Sequence, residues 1–318
     1  MKRRLLSKTN YLNGLQCPKY LWTIIHERDK IPAPDKATQY VFDQGHVVGE
    51  LAKRLFPNGI DVPTYDFMEN ITQTRALAEK RLTLFEPGIV VGNLYSRVDI
   101  LEPAGGSHWN LIEVKSTTGV KDVHLHDVSF QKYCCEQAGF EVDRSFLIHI
   151  NNQYVRSGAV SPEGLFIRQD ITAEVTETQK GIENRIDGLL EVMENTRCPD
   201  VIIGRHCLEP YDCPLKECWS ALPEHHVFTL YRGGQNSYDL FAGGVISVEE
   251  IPDDYSLTAN QEIQKQCVES GQAYINGIAI REFLDTLEYP LSFLDFETFS
   301  PAVPMFDGTK PYQAVPFQ

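Results

Sequence analysis

GIVVGNLYSRVDILEPAGGSHWNLIEVKS, residues 88–116, decides the fold of this chain. Its two apolar runs read as paired β-strands, with Gly105 and Gly106 supplying the turn between them. Side chains alternate faces along a strand, so Glu113 and Lys115 point the same way while Val114 turns into the core behind them. Asp99 ends the first strand, on the neighbouring side of the hairpin. A charged pair on so apolar a strand calls for a chemical reason.

Outward from this hairpin the pattern becomes helical. Residues 8–28, 37–56 and 71–85 read as helices, the second with Val48, Leu51, Ala52 and Leu55 on one stripe. Downstream, DVSFQKYCCEQA (127–138) reads as a helix stopped by Gly139. The strands RSFLIHI (144–150) and GLFIRQDI (164–171) follow, then an amphipathic helix over 173–195. The order helix, hairpin, helix, strand predicts an α/β fold, a mixed sheet flanked by helices.

Composition narrows the classes. The chain has 318 residues, 42% of them hydrophobic, with no apolar run long enough to span a bilayer and no secretory h-region after MKRRLL. A cytoplasmic protein that does not enter membranes is expected. The formal charge of −15 argues against a broad nucleic-acid-coating surface, so any polyanion site must be a local groove. Eight cysteines without a secretory signal read as thiols or metal ligands rather than as a disulfide framework.

Five polar residues gather around the predicted sheet: Asp99, Glu113, Lys115, His46 on a preceding helix and Gln131 on the following one. Singly, each has an ordinary explanation: a surface histidine, a solvent-facing ion pair, a turn aspartate. Together they match what phosphodiester hydrolysis needs. Two carboxylates can hold Mg²⁺ or Mn²⁺ through oxygen, and the ion stabilises charge on the phosphate and acidifies a bound water. A lysine beside them can orient that water, or help deprotonate it if the site lowers its pKa.

Asp, about a dozen residues, then Glu-x-Lys across a hairpin is the PD-(D/E)XK nuclease pattern, and the resemblance extends further. LSKTNYLNGLQCPKYLW, His46, the Asp99/Glu113/Lys115 trio, FQKY and a late cysteine cluster occur in the order found in RecB-like nucleases. The chain resembles the CRISPR-associated members and the iron–sulfur nuclease domains of AddB-type helicase-nucleases. The resemblance implies a restriction-endonuclease-like core with a cysteine-rich metal-cluster region. It implies metal binding at His46, Asp99, Glu113 and Val114, catalysis by Asp99, Glu113, Lys115 and Gln131, and Gln131 and Tyr133 beside the DNA. The spacing from Gln131 to Tyr133 is tighter than in the usual motif.

The same resemblance implies that Cys17, Cys207, Cys213 and Cys218 hold a 4Fe–4S cluster stapling the two ends of the domain. The late spacing, C-x5-C-x4-C, departs from the family's C-x2-C-x5-C. Four thiolates suit zinc equally, and Cys198, Cys207, Cys213 and Cys218, with His206 as a substitute, form a competing zinc set. The N-terminal context LQCPKYLW favours the iron–sulfur reading. Cys134, Cys135 and Cys267 read as packing residues.

Three regions are expected: a RecB-like domain over 1–222, a linker and helical region over 223–289, and from 290 to 318 the start of an RNase H-like exonuclease domain. In the last, LSFLDFET (291–298) reads as a strand carrying Asp295 and Glu297, the acidic pair that opens the DEDD exonuclease motifs. The whole resembles an uncharacterised bacterial family that fuses the two domains, here with the second cut short. The expected activity is metal-dependent hydrolysis of DNA, as an exonuclease on single-stranded ends. A non-catalytic or RNA-directed binding module with a structural zinc or iron–sulfur site is the alternative, and a third reading places the chemistry in the absent part of the exonuclease domain.

Overall fold

Pro18 divides the first helix. A proline lacks an N–H and pushes the residue before it out of the helical region. The chain therefore runs through β1 (Leu6–Ser7) and α1 (Lys8–Gln16), turns extended at Cys17 (φ −156°), and resumes as α2 (Pro18–His26), where a single helix to residue 28 was expected. The computed structural model describes residues 4–318. It forms two compact units, Met1–Val201 with Phe296–Gln318, and Ile202–Asp295.

In the first unit Asp35 caps α3 (Lys36–Lys53), accepting from the Thr38 N–H at 2.8 Å. After β2 (Ile60–Asp61), α4 (Phe67–Glu79) begins ahead of the expected position 71, because Asp66 caps it through the Glu69 N–H. It ends before β3 (Leu84–Phe85). The stretch read as one strand is three: β4 (Gly88–Val91) and β5 (Leu94–Arg97) form a hairpin through Gly92 at φ +56°, and β6 (Ile100–Pro103) leaves for another sheet. Glycine meets the positive φ of that turn without a Cβ clash. Next come β7 (Trp109–Lys115), α5 (Asp122–Gln137), β8 (Val142–Ile150), the single turn α6 (Pro162–Leu165) and β9 (Phe166–Asp170). The expected helix over 173–195 is split into α7 (Thr172–Gln179) and α8 (Ile182–Glu194) by Gly181, whose φ of +71° no helix interior takes.

The main sheet has the order β2-β3-β6-β7-β8-β9, and β1-β5-β4 make a second, smaller one. Strand β7 pairs antiparallel with β6 and parallel with β8, so the mixed sheet read from the sequence is present. Its two faces bury different cores. Leu111 packs with Val128, Phe130 and Cys134 of α5, whereas Ile112 packs with Val48 and Ala52 of α3. By alternation Glu113 and Lys115 share the α5 side with Leu111, and Val114 shares the α3 side with Ile112. That parity positions the site.

The second unit contains α9 (Glu217–Ser220), α10 (Gln235–Ala242), α11 (Ala259–Ser270) and α12 (Gly277–Leu284). Val227, Leu230, Leu240, Val248 and Ile251 form its core. Of the strand expected over 291–298, residues 291–297 take no regular structure; Glu297 exchanges backbone hydrogen bonds of 3.0 Å with Phe317 and Gln318, leading into β10 (Thr298–Phe299), which pairs with β11 (Val315–Pro316). The C-terminal segment packs on the first unit: Ala302 is buried beside Val48 and Ala52, and its N–H donates to Gln44 Oε1 at 3.1 Å. Arg156 holds the carbonyls of Pro304 and Met305 at 2.9 and 2.7 Å. Among the described residues no helix is long and apolar enough to cross a membrane.

Candidate active site

Asp99 sits in the bend where β5 hands over to β6, one residue before the strand rather than at the end of one. Two bonds fix that bend. Glu86, turned into the left-handed region at φ +57°, donates its N–H to the Asp99 carbonyl at 3.0 Å. The β6–β7 ladder ends at Ile100 and Ile112, so the Val114 N–H is free to bond elsewhere, and Asp99 Oδ2 accepts it at 2.8 Å. The carboxylate is thereby held against the peptide between Glu113 and Lys115.

Glu113 is 1% exposed and surrounded by donors. Its Oε1 accepts from Lys115 Nζ at 2.5 Å and Lys8 Nζ at 3.2 Å, and its Oε2 from Gln131 Nε2 at 2.7 Å and Lys8 Nζ at 3.3 Å. Lys8 also reaches Asp99 Oδ1 at 3.5 Å, so one ammonium bridges the two carboxylates that the sequence pairs. Lys115 donates in addition to Asp127 Oδ2 at 2.7 Å, and Gln131 to Asp127 Oδ1 at 2.8 Å. Three carboxylates, two ammoniums and one amide form a single network.

Its electrostatics follow from burial. Desolvation, then the Asp127 and Asp99 charges, push the Glu113 carboxyl up, against the pull of Lys115 and Lys8. Asp127 goes the other way: burial opposes its ionisation, but the two ammoniums and its hydrogen bonds hold it well below the usual carboxylate range. For Lys115, burial is outweighed by Asp127, Glu113 and Asp99, which raise its pKa well above normal. It is a committed donor in this arrangement, suited to orienting an anion or a water rather than to taking a proton.

The sequence missed Lys8 and Asp127. Lys8 is the first residue of α1, capped by Ser7, whose Oγ accepts the Asn10 N–H at 3.2 Å. The parallel pairing of β1 with β5 and the stacking of Tyr11 on Phe130, centroids 4.6 Å apart, fix that helix end beside Asp99. Asp127 lies one turn before Gln131 on α5; that i,i+4 spacing was a readable sign that the two share a face.

Three expectations change. Gln131 was to contact DNA, but it is fully buried and spends its amide on Glu113 and Asp127, leaving Oε1 without a partner. Tyr133, two residues on and so on the far side of the helix, bonds Glu183 of α8 at 3.3 Å. His46 is exposed on α3, which covers the opposite face of β7, and among the described residues it makes no hydrogen bond to Asp99 or Glu113.

The expected cluster cysteines belong to both units. Cys17 is buried at the junction of α1 and α2 in the first. In the second, the Cys213 N–H donates to the Cys207 carbonyl at 2.8 Å, and Cys207 Sγ lies 3.6 Å from His206 Nε2. Among the described residues no group of three or more His, Cys, Asp or Glu side chains is gathered to hold a metal ion. Around Glu113 each carboxylate is paired with a lysine ammonium: Asp99 and Glu113 with Lys8, Glu113 and Asp127 with Lys115.

A family model described as a domain of unknown function, DUF2779, matches residues 292–318. No curated protein matches the chain. Among solved structures the chain is similar to LHK-Exo in complex with dAMP, at 11% identity and a TM-score of 0.33, over 60% of this chain and 88% of that one. It is similar also to an alkaline exonuclease (LHK-Exo) from Laribacter hongkongensis, at 11% identity and a TM-score of 0.24, over 57% and 93%. Likenesses of that extent leave the chemistry to be read from the side chains themselves.

Proposed function

We propose that this chain is a metal-dependent nuclease of the PD-(D/E)XK type that hydrolyses DNA phosphodiesters, acting on single-stranded ends. The observation that carries the reading is the convergence of Asp99, Glu113 and Lys115 in one hydrogen-bonded network, with Asp99 held to the Val114 peptide. A structural ion pair on a strand would not require three buried or half-buried carboxylates.

The donor set suits a hard divalent cation: Asp99 and Glu113 offer carboxylate oxygens, and the unpartnered Gln131 Oε1 lies in the same buried layer. Asp99, Glu113 and the Val114 backbone would hold Mg²⁺ or Mn²⁺, which when bound supplies charge stabilisation at the phosphate and acidifies a water. The protein's own groups do the rest. Asp127 and Gln131 orient Glu113, and Lys115 presents an ammonium to the attacking water or a phosphate oxygen. His46 adds a ligand in this reading only through the family resemblance.

The choice of DNA also comes from that resemblance. The thiols of Cys17, Cys207, Cys213 and Cys218 suit a 4Fe–4S cluster or zinc by donor type, and such a group would be structural, with no part in hydrolysis. The test is digestion of matched DNA and RNA oligonucleotides with Mn²⁺, with Mg²⁺ and with chelator. Divalent-dependent loss of single-stranded DNA is expected. Digestion that persists in chelator, or of RNA alone, overturns the proposal.

A further inference from the structure

We propose that Lys8 is a built-in counter-cation of this centre: it clamps Asp99 to Glu113, competes for their oxygens with a divalent ion, and turns to the substrate phosphate once displaced. This rests on the metal-dependent reading above and concerns a residue that reading leaves without a role.

The two lysines of the network are not equivalent. Lys115 is anchored twice, on Glu113 at 2.5 Å and on Asp127 at 2.7 Å. If Glu113 turns to a divalent ion, Lys115 keeps Asp127. Among the described residues the acceptors of Lys8 are Asp99 and Glu113 alone, at 3.2 to 3.5 Å. Both are the oxygens a divalent ion requires, so Lys8 loses every partner on loading and is repelled by the new charge. An ammonium in that position seeks another anion, and the substrate of a nuclease supplies one.

The local structure permits the movement. The backbone of Lys8 is fixed by the Ser7 cap, by β1–β5 pairing and by Tyr11 on Phe130. Its side chain has four flexible methylenes and remains 22% exposed, against 1% for Glu113, so the ammonium can swing outward while its base stays still. The contacts of Lys8 span 91 and 105 residues of sequence, so the clamp also ties the chain's start to the active hairpin.

The test is Mn²⁺ binding to the full chain, read by titration calorimetry and by electron paramagnetic resonance of free Mn²⁺, with no substrate present. Removing a competing charge this close should matter strongly, so Lys8→Gln is expected to bind Mn²⁺ at least about tenfold more tightly than wild type. Lys8→Arg, which keeps the charge, should stay within about threefold of wild type. At saturating Mn²⁺, Lys8→Gln should bind a non-hydrolysable single-stranded phosphorothioate about tenfold more weakly than wild type, the contribution of one phosphate contact. Equal or weaker Mn²⁺ binding by a folded Lys8→Gln, beside a wild type that binds Mn²⁺, overturns the counter-cation role and leaves the metal site standing. Absence of Mn²⁺ binding in wild type and variant alike overturns the metal reading, and this inference with it.

Discussion

Replacing Gln131 by methionine tests whether this residue positions the carboxylates or touches substrate. Methionine fills nearly the same volume and removes the donor. Gln131 Nε2 makes hydrogen bonds of 2.7 Å to Glu113 and 2.8 Å to Asp127 from a fully buried position. A hydrogen bond to a charged group contributes about 1.5–3 kcal/mol, so the pair contributes roughly 3–6 kcal/mol. Against this, Oε1 has no partner, and deleting a buried unsatisfied acceptor returns about 1–3 kcal/mol. The net expectation is a loss centred on about 2.5 kcal/mol, a fall in melting temperature of roughly 5–10 °C for a unit of this size. Scanning calorimetry measures it, because two units can melt as separate transitions. Affinity for single-stranded DNA should stay within about threefold of wild type when measured well below the transition. An unchanged melting temperature with a tenfold loss of DNA affinity would refute the positioning role and restore the substrate contact expected from the sequence.

Burial, then the charges of Lys115 and Lys121, lower the His124 pKa to about 4 from an ordinary 6.5. A base held neutral when folded favours folding fully above pH 6.5 and loses that advantage as pH falls toward 4, by at most about 1.4 kcal/mol per pH unit. Urea midpoints at pH 7 and 5 should therefore converge in His124→Gln relative to wild type, and an unchanged difference would contradict the assignment. Asp295→Ala should leave nuclease activity within about twofold of wild type, since a two-metal centre needs carboxylates from several separated strands and residue 295 lies in irregular chain; a loss matching that of Glu113→Ala would place the chemistry elsewhere. Anaerobically purified protein should be brown with absorption near about 400 nm and bleach in Cys17→Ser, because four thiolates can hold a 4Fe–4S cluster. Colourless, iron-free protein rejects the cluster.

The hairpin from 88 to 116 was legible because a two-residue period fixes which side chains share a face. That placed Glu113 and Lys115 together and Asp99 nearby. The finer breaks had written signals that one long apolar pattern obscured: Pro18 after Cys17, Gly92 between two apolar runs, Gly181 within a helical stripe. The position of His46 was not legible, for a physical reason. Its helix does pack on β7, but on the face carrying Ile112 and Val114, away from Glu113. Asp127 was within reach through its helical spacing to Gln131, whereas Lys8 was not. Its role depends on a two-residue parallel pairing of β1 with β5, which no local pattern encodes.

The central claim, that Glu113 and Lys115 form a catalytic centre rather than a structural ion pair, is tested most directly by Lys115→Ala. Single-turnover cleavage of single-stranded DNA in saturating Mn²⁺ is the measurement, with circular dichroism confirming that the variant folds. Loss of a charged group acting on the transition state should slow cleavage by about a hundredfold or more. Cleavage by the folded variant at the wild-type rate would contradict the account.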